Sequence, residues 1–231
     1  EPLKDDIAWA AENVTSTLFS CLATHAVLQF HYGQKRIPQK EKIWGVFGHR
    51  VVDKSHPLVN DVNTRFDVPH SRWNAVTREQ FDTAALRVLV ESDAGVHLAT
   101  SADGLRLVLS QGHPEYDTIS LLKEYKREVL LCAAGTRMDY PPFPANYFAD
   151  REQAILDEYR NRLDAALSAG ERIPEFPESL VLARLDNTWH DTAEGVVGNW
   201  MGLVYQVTNS DRRLPFMDGV DPDDPLGLYR K

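Results

Sequence analysis

Cys21 stands where a short β-branched, apolar run, Val14-Thr15-Ser16-Thr17-Leu18-Phe19-Ser20, gives way to a helical pattern from Leu22 to Tyr32. A cysteine on a strand-to-helix turn can expose its thiol as a nucleophile. The helix N-terminus stabilises an anion there, and the Leu22 N–H would face the oxyanion of a tetrahedral intermediate. Residues two positions either side of such a turn are usually small; Ala23 fits and Phe19 does not. A free cysteine is more commonly a buried structural residue. The second group is His113-Pro114-Glu115. In extended chain, residues i and i+2 point the same way, so Glu115 can orient His113 as a base. The ordinary alternative is a loop histidine beside an acid at a helix start. His25, four residues after Cys21, is a rival base; it is disfavoured because a cysteine on such a turn points away from its own helix. Lys42, Arg72 and Arg127 are cations near these motifs able to bind a carboxylate, arginine by a bidentate fork. Single surface cations are more often simply solvated.

The eight histidines show no His-Glu-x-x-His spacing, and Cys132 has no Cys or His at ligand spacing, so no metal is expected. No glycine-rich phosphate loop occurs, and no resident cofactor is expected.

These groups need elements to hold them. The pattern predicts a helix over about 5–13, a strand over 14–20, and a helix over 22–32 with Gly33 as its C-cap. A strand over 43–52 follows, then an extended loop over 56–72 that carries Pro57 and Pro69. Arg87–Glu91 is a short strand. Val96 and Leu98, then Leu105, Leu107 and Leu109, predict a hairpin around Ser101-Ala102-Asp103-Gly104. Asp117 caps a helix with Leu121, Leu122, Tyr125 and Val129 on one face. After Pro141, Pro142 and Pro144, a helix over 149–169 carries Ile155, Tyr159, Leu163 and Leu167 at a strict i+4 step and ends at Gly170. The last helix covers 187–206. The class is α/β, with residues 1–207 as one domain and 208–231 as an irregular tail.

The chain has 231 residues, 43% of them apolar, enough to bury a core without staples. Its net charge of −9 argues against a nucleic-acid binder, which needs a basic face. No apolar run of about 18 residues predicts a membrane span. Two cysteines, Cys21 and Cys132, read as reduced thiols and suggest a cytoplasmic setting.

Several ordered motifs carry a family resemblance. They are Val14–Cys21, His31-Tyr32-Gly33, Lys42, Gly45-Val46-Phe47 with His49-Arg50-Val51, Pro69-His70-Ser71-Arg72 and Gly112-His113-Pro114-Glu115-Tyr116-Asp117. Glu124-Tyr125 with Arg127, Asn146-Tyr147-Phe148, Asn187-Thr188-Trp189, Asn199-Trp200 and Tyr205-Gln206 complete the series. Together they resemble the homoserine O-acyltransferases, the homoserine trans-succinylases and their acetylating relatives. The resemblance implies a flavodoxin-like sheet of the class I glutamine-amidotransferase type, with helices on both faces. It implies transfer of an acetyl or succinyl group from acyl-CoA, a co-substrate, to the hydroxyl of homoserine in methionine biosynthesis. In that reading Cys21 is the nucleophile in a ping-pong route, His113 the base and Glu115 its orienter. Lys42, Ser71 and Arg127 contact substrate, Arg127 through the amino-acid carboxylate. A homodimer is also implied.

The pattern departs from the family at Leu22-Ala23-Thr24-His25, at Gly48, and at Trp189-His190-Asp191-Thr192, which leaves homoserine and serine both as acceptors. A glutamine amidotransferase or hydrolase, and a non-catalytic scaffold of the same fold, are the other readings. With the nucleophile at position 21 and no initiator Met, a doubly wound sheet would need N-terminal strands that this chain lacks. The expectation is the C-terminal two-thirds of a protein of more than roughly 300 residues.

Overall fold

The structure is a computed structural model that describes residues 2–211 and 213–229. The chain divides into two compact units. The first comprises Glu1–Ile43, Phe47–Pro114 and Trp189–Lys231; the second comprises Trp44–Val46 and Glu115–Thr188.

In the first unit the helices are α1 (Pro2–Asn13), α2 (Leu22–Phe30), α3 (Arg78–Thr83) and α7 (His190–Val207). The strands are β1 (Thr17–Ser20), β2 (Ile37–Val51), β3 (Arg65–Ala75), β4 (Arg87–Ser92), β5 (Gly95–Thr100) and β6 (Leu107–Ser110), in the sheet order β1-β6-β5-β4-β2-β3. Residues 44–46 of β2 are the stretch assigned to the second unit. Strands β1 and β6 run parallel, with Thr17 opposite Leu107 and Ser20 opposite Ser110. The β5–β6, β4–β5 and β2–β4 pairs are antiparallel.

Alternation along the strands divides the core between two faces. Phe19, Leu107 and Leu109 pack with Ile7 of α1, Val27 and Leu28 of α2 and Phe81 of α3. Leu18, Val108 and Leu98 face the other way, toward Val196, Trp200 and Leu203 of α7 and Leu58 of a short 3-10 turn, Pro57–Val59. The unit is thus an α/β sheet covered by helices on both faces.

Three expectations need correction. The segment 56–72 is not an extended loop throughout, because β3 begins at Arg65. It lies at the sheet edge, where Pro69 removes no ladder bond that a central strand would require. Helix α3 was unforeseen; it is held by a capping box, with Thr77 N–H donating to Gln80 Oε1 at 3.0 Å and Gln80 N–H to Thr77 Oγ1 at 3.4 Å. Asp117 is not a side-chain cap: the next helix starts after Ile119, whose side chain makes no capping bond.

The second unit holds α4 (Ser120–Ala133), α5 (Asp150–Ala169) and α6 (Glu178–Leu182). The buried face of α5 is Leu156, Tyr159, Leu163 and Ala166, while Leu167 is 44% exposed. A strict i+4 series drifts around a helix of 3.6 residues per turn, so the stripe that stays inside steps by three and four. Residues 44–46 bridge to Ala145: Val46 N–H donates to Ala145 O at 2.8 Å and Ala145 N–H to Trp44 O at 2.9 Å. Gly45 has φ +142°, and a Cβ there would lie on the Ala145 backbone, so only glycine permits this approach. Trp44, Phe143, Phe148 and Phe176 gather around Tyr125.

Candidate active site

Cys21 has φ 46° and ψ −108°, a conformation that L side chains rarely adopt. Its surroundings impose it. Cys21 N–H donates to Ser110 O at 2.8 Å, which continues the β1–β6 ladder by one bond. Cys21 O then accepts the His25 N–H at 3.1 Å and opens α2. The buried Thr24 hydroxyl lies 2.9 Å from Phe19 O and 2.8 Å from Ser110 O, tying the first turn of the helix to both strands. The chain therefore turns sharply over one residue, and that residue is the cysteine. Leu22 is the first helical residue, so its N–H has no carbonyl four residues back within the helix. Phe19, the bulky neighbour, turns into the core and so is accommodated.

His113 follows the C-terminal end of the strand next to the one that leads to Cys21. Strand β6 ends opposite the end of β1, and Gln111, Gly112 and His113 follow. The Ser20 and Ser110 hydroxyls donate to Gly112 O at 3.2 and 3.1 Å, and His113 N–H donates to Pro69 O at 2.8 Å. The peptide that carries His113 is thus held on both sides. Gly112 is required there, since a Cβ would fall 2.4 Å from Val68 Cγ1.

His25 is occupied elsewhere. Its Nε2 lies 3.0 Å from Gln111 Oε1, and burial, partly offset by that bond, holds its pKa below the ordinary value. Gln111 also accepts from Val76 N–H and donates to Val76 O and Val96 O. His25 and Gln111 thus form a buried brace beside the first turn of α2.

The alternation of β3 places His70 and Arg72 in the interior, 0% and 4% exposed. Arg72 donates through Nε to His70 Nδ1 at 3.3 Å, through Nη1 to Asn74 O at 2.9 Å and through Nη2 to Ala94 O at 2.5 Å. No carboxylate is among these acceptors. Burial lowers the Arg72 pKa to about 10, while its electrostatic interaction with Cys21 acts in the opposite direction, so Arg72 is a cation at neutral pH. His49, His70 and His97 form a buried group around it, with the His49 and His70 rings stacked and His97 edge-on to both. Burial holds all three below the ordinary histidine pKa, His70 and His97 well below. The sequence named Arg72 only as one cation among three and missed the histidine group. The signal available was His70-x-Arg72 on one face of a strand.

Ser71 and Lys42 are half-buried in the first unit. Glu115 and Arg127 belong to the second unit, and both are exposed. Arg127 donates to Glu128 Oε1 from Nε at 3.3 Å and from Nη2 at 3.1 Å. Among the described residues, no group of three or more His, Cys, Asp or Glu side chains is placed to hold a metal ion. No helix among them is long and apolar enough to cross a membrane.

Comparison with known proteins bears on this geometry. The family described as homoserine O-succinyltransferase (HTS) matches residues 1–210. The homoserine O-succinyltransferase of Nitrosococcus oceani is 61% identical over 231 residues, covering 100% of this chain and 64% of its own length. That of Allochromatium vinosum is 64% identical over 229 residues, covering 99% and 64%. The chain thus spans about 64% of the length of these relatives. Among solved structures, a glutamine amidotransferase from Thermotoga maritima aligns with 14% identity and a TM-score of 0.42, over 86% of this chain and 66% of its own. With the family model matched over residues 1–210 and relatives above 60% identity along nearly the whole chain, the chain belongs to the homoserine O-succinyltransferase family.

Proposed function

We propose that this chain carries the nucleophile and base of an enzyme that moves a succinyl group from succinyl-CoA to the side-chain hydroxyl of homoserine, a step of methionine biosynthesis. The observation that carries the reading is the forced turn at Cys21 directly after β1, with the equally constrained His113 three residues beyond the end of the adjacent parallel strand β6. The names of the relatives favour succinyl over acetyl as the transferred group and homoserine over serine as the acceptor.

The chemistry proceeds in two transfers. His113 takes the Cys21 proton, and the thiolate attacks the thioester carbonyl of the donor. The Leu22 N–H stabilises the oxyanion. The C–S bond to CoA breaks, His113 returns the proton to the CoA sulfur, and Cys21 is left as a succinyl thioester. Exchange of one thioester for another changes the free energy little. The acceptor hydroxyl then gives its proton to His113 and attacks the Cys21 thioester. Collapse forms the O-ester, and the proton on His113 restores the thiol. Glu115 as orienter of His113, and Lys42, Ser71 and Arg127 as substrate contacts, keep the roles that the resemblance implies. Two free thiols, Cys21 and Cys132, support a reducing, cytoplasmic setting.

The test is intact-mass measurement after brief mixing with succinyl-CoA and, separately, acetyl-CoA. The expected result is one succinyl group on the peptide that contains Cys21, absent in Cys21→Ala and discharged by homoserine faster than by serine. An unmodified Cys21 with turnover intact would overturn the mechanism.

A further inference from the structure

The hydrogen bonds below Arg72 run in one direction only. Arg72 Nε always carries a proton, so His70 Nδ1 must accept it. A neutral His70 then carries its own proton on Nε2, which lies 3.3 Å from His49 Nε2. That nitrogen must accept, so the proton of His49 sits on Nδ1, 2.8 Å from Phe47 O. Read from the other end, the Phe47 carbonyl can only accept, which demands the same arrangement. Both ends of the chain thus fix both tautomers.

We propose that His70 and His49 are positioning residues: their one-way chain of hydrogen bonds holds the Arg72 guanidinium in a single orientation, from which its charge acts on Cys21. A buried cation bonded to one imidazole and two carbonyls has no anion among these acceptors to balance it, an arrangement that is costly in a fold unless an anion arrives there. Arg72 interacts electrostatically with Cys21, so a thiolate formed there in the reaction would supply that anion. The neutral state of the two imidazoles matters too. A second cation at His70 would both repel Arg72 and turn the Nδ1 acceptor into a donor. Burial of His49 and His70 opposes that protonation. The same strand is tied to the base, since Pro69 O accepts the His113 N–H. The chain therefore sits between the backbone of β2 and the two residues that would do the chemistry. The proposal rests on Cys21 as the reactive thiol, but not on the identity of the acyl donor.

The test compares alkylation of Cys21 by anionic iodoacetate and neutral iodoacetamide, read on the peptide that contains Cys21 so that Cys132 does not contribute. A fixed cation beside the sulfur raises the iodoacetate-to-iodoacetamide rate ratio, and a purely structural residue leaves it alone. Arg72→Gln is expected to lower the ratio by about fivefold, the Coulomb effect of one charge at contact distance in water. His70→Leu and His49→Phe should reproduce most of that loss. His70→Asn, whose Oδ1 can take the place of the Nδ1 acceptor, should keep most of the ratio. A folded His70→Leu or His49→Phe with the wild-type ratio would overturn the proposal, as would a His70→Asn protein that loses as much as His70→Leu. Should the apolar variants fail to fold, the ¹⁵N shifts of the wild-type imidazoles decide: Nε2–H at His70 and Nδ1–H at His49 are required, and either opposite tautomer refutes the chain. Neither measurement uses acyl-CoA. Loss of the acyl adduct with the ratio pattern intact would therefore sink the acyltransferase reading and leave the positioning role standing.

Discussion

Replacing Gly112 by alanine should strike the site through packing alone. An ideal Cβ at Gly112 falls 2.4 Å from Val68 Cγ1, 3.0 Å from His97 Nδ1 and 3.1 Å from Pro69 O. Carbon–carbon contacts settle at about 3.5–4.0 Å, so the segment must move by roughly 1 Å. Val68 is β-branched, with few rotamers open to it, and 2% exposed, so it yields only at a cost. Overpacking of this kind costs about 1–3 kcal/mol, which for a chain of this size lowers Tm by about 2–4 °C per kcal/mol. The motion passes directly to His113, whose N–H is bonded to Pro69 O and whose preceding carbonyl is held by Ser20 and Ser110. A reacting group misplaced by 1 Å costs about a hundredfold in rate. The assay is the rate of the proposed succinyl transfer at saturating substrates, together with thermal melts. Gly48→Ala is the matched control, since the nearest atom to its Cβ is Asp67 Oδ1 at 3.6 Å, and it should stay within about 0.5 kcal/mol of wild type. A Gly112→Ala enzyme with the rate and Tm of the Gly48→Ala protein would refute the packing argument.

Cys21→Gly should be more stable than Cys21→Ala by about 1 kcal/mol in urea titrations, because glycine releases the strain at φ 46° while losing some of that gain to chain entropy; neither variant should form the acyl adduct, and equal stability would argue against stored strain. His56 is fully buried, accepts the Leu58 N–H on Nδ1 and has its pKa lowered by burial to about 4. The unfolded chain therefore binds a proton that the folded chain refuses. Its share of stability is complete above pH 6.5 and lost as pH falls to about 4, a change of about 3 kcal/mol. Melts from pH 7 to 4 should flatten in His56→Asn by up to about 1.4 kcal/mol per pH unit, and an unchanged slope would exclude His56 as a contributor. Leu109→Ala empties a site that is 0% exposed on an interior strand, packed with α1, α2 and α3 side chains, and should cost about 2–5 kcal/mol by denaturant unfolding.

Much of the site was legible because its signals are local. A β-branched run, a cysteine and a helical period in immediate succession specify a turn at position 21, and Asp-Gly specifies a hairpin. Strand β3 was not legible, because Pro69 and its polar neighbours suit a loop until the sheet order makes this strand an edge. The middle of the α5 face, Tyr159 and Leu163, was legible, but its ends were not: Leu156 and Ala166 are buried where Ile155 and Leu167 were expected, because only contact with the core distinguishes a 3-4-3 stripe from a strict i+4 series.

By itself the sequence determined the residue types and their order: a thiol at a strand-to-helix junction, a histidine after a later strand, and the motif series that marks the family. Tertiary structure decided which groups share a surrounding. The parallel pairing of β1 with β6 brings positions 21 and 113 to the C-terminal ends of two adjacent strands. The alternation of β3 carries His70 and Arg72 inside, toward histidines from β2 and β5. Sequence spacing sets local geometry through the period of helix and strand. Burial, tautomer and charge depend on what distant strands bring alongside, and that is fixed only when the sheet closes.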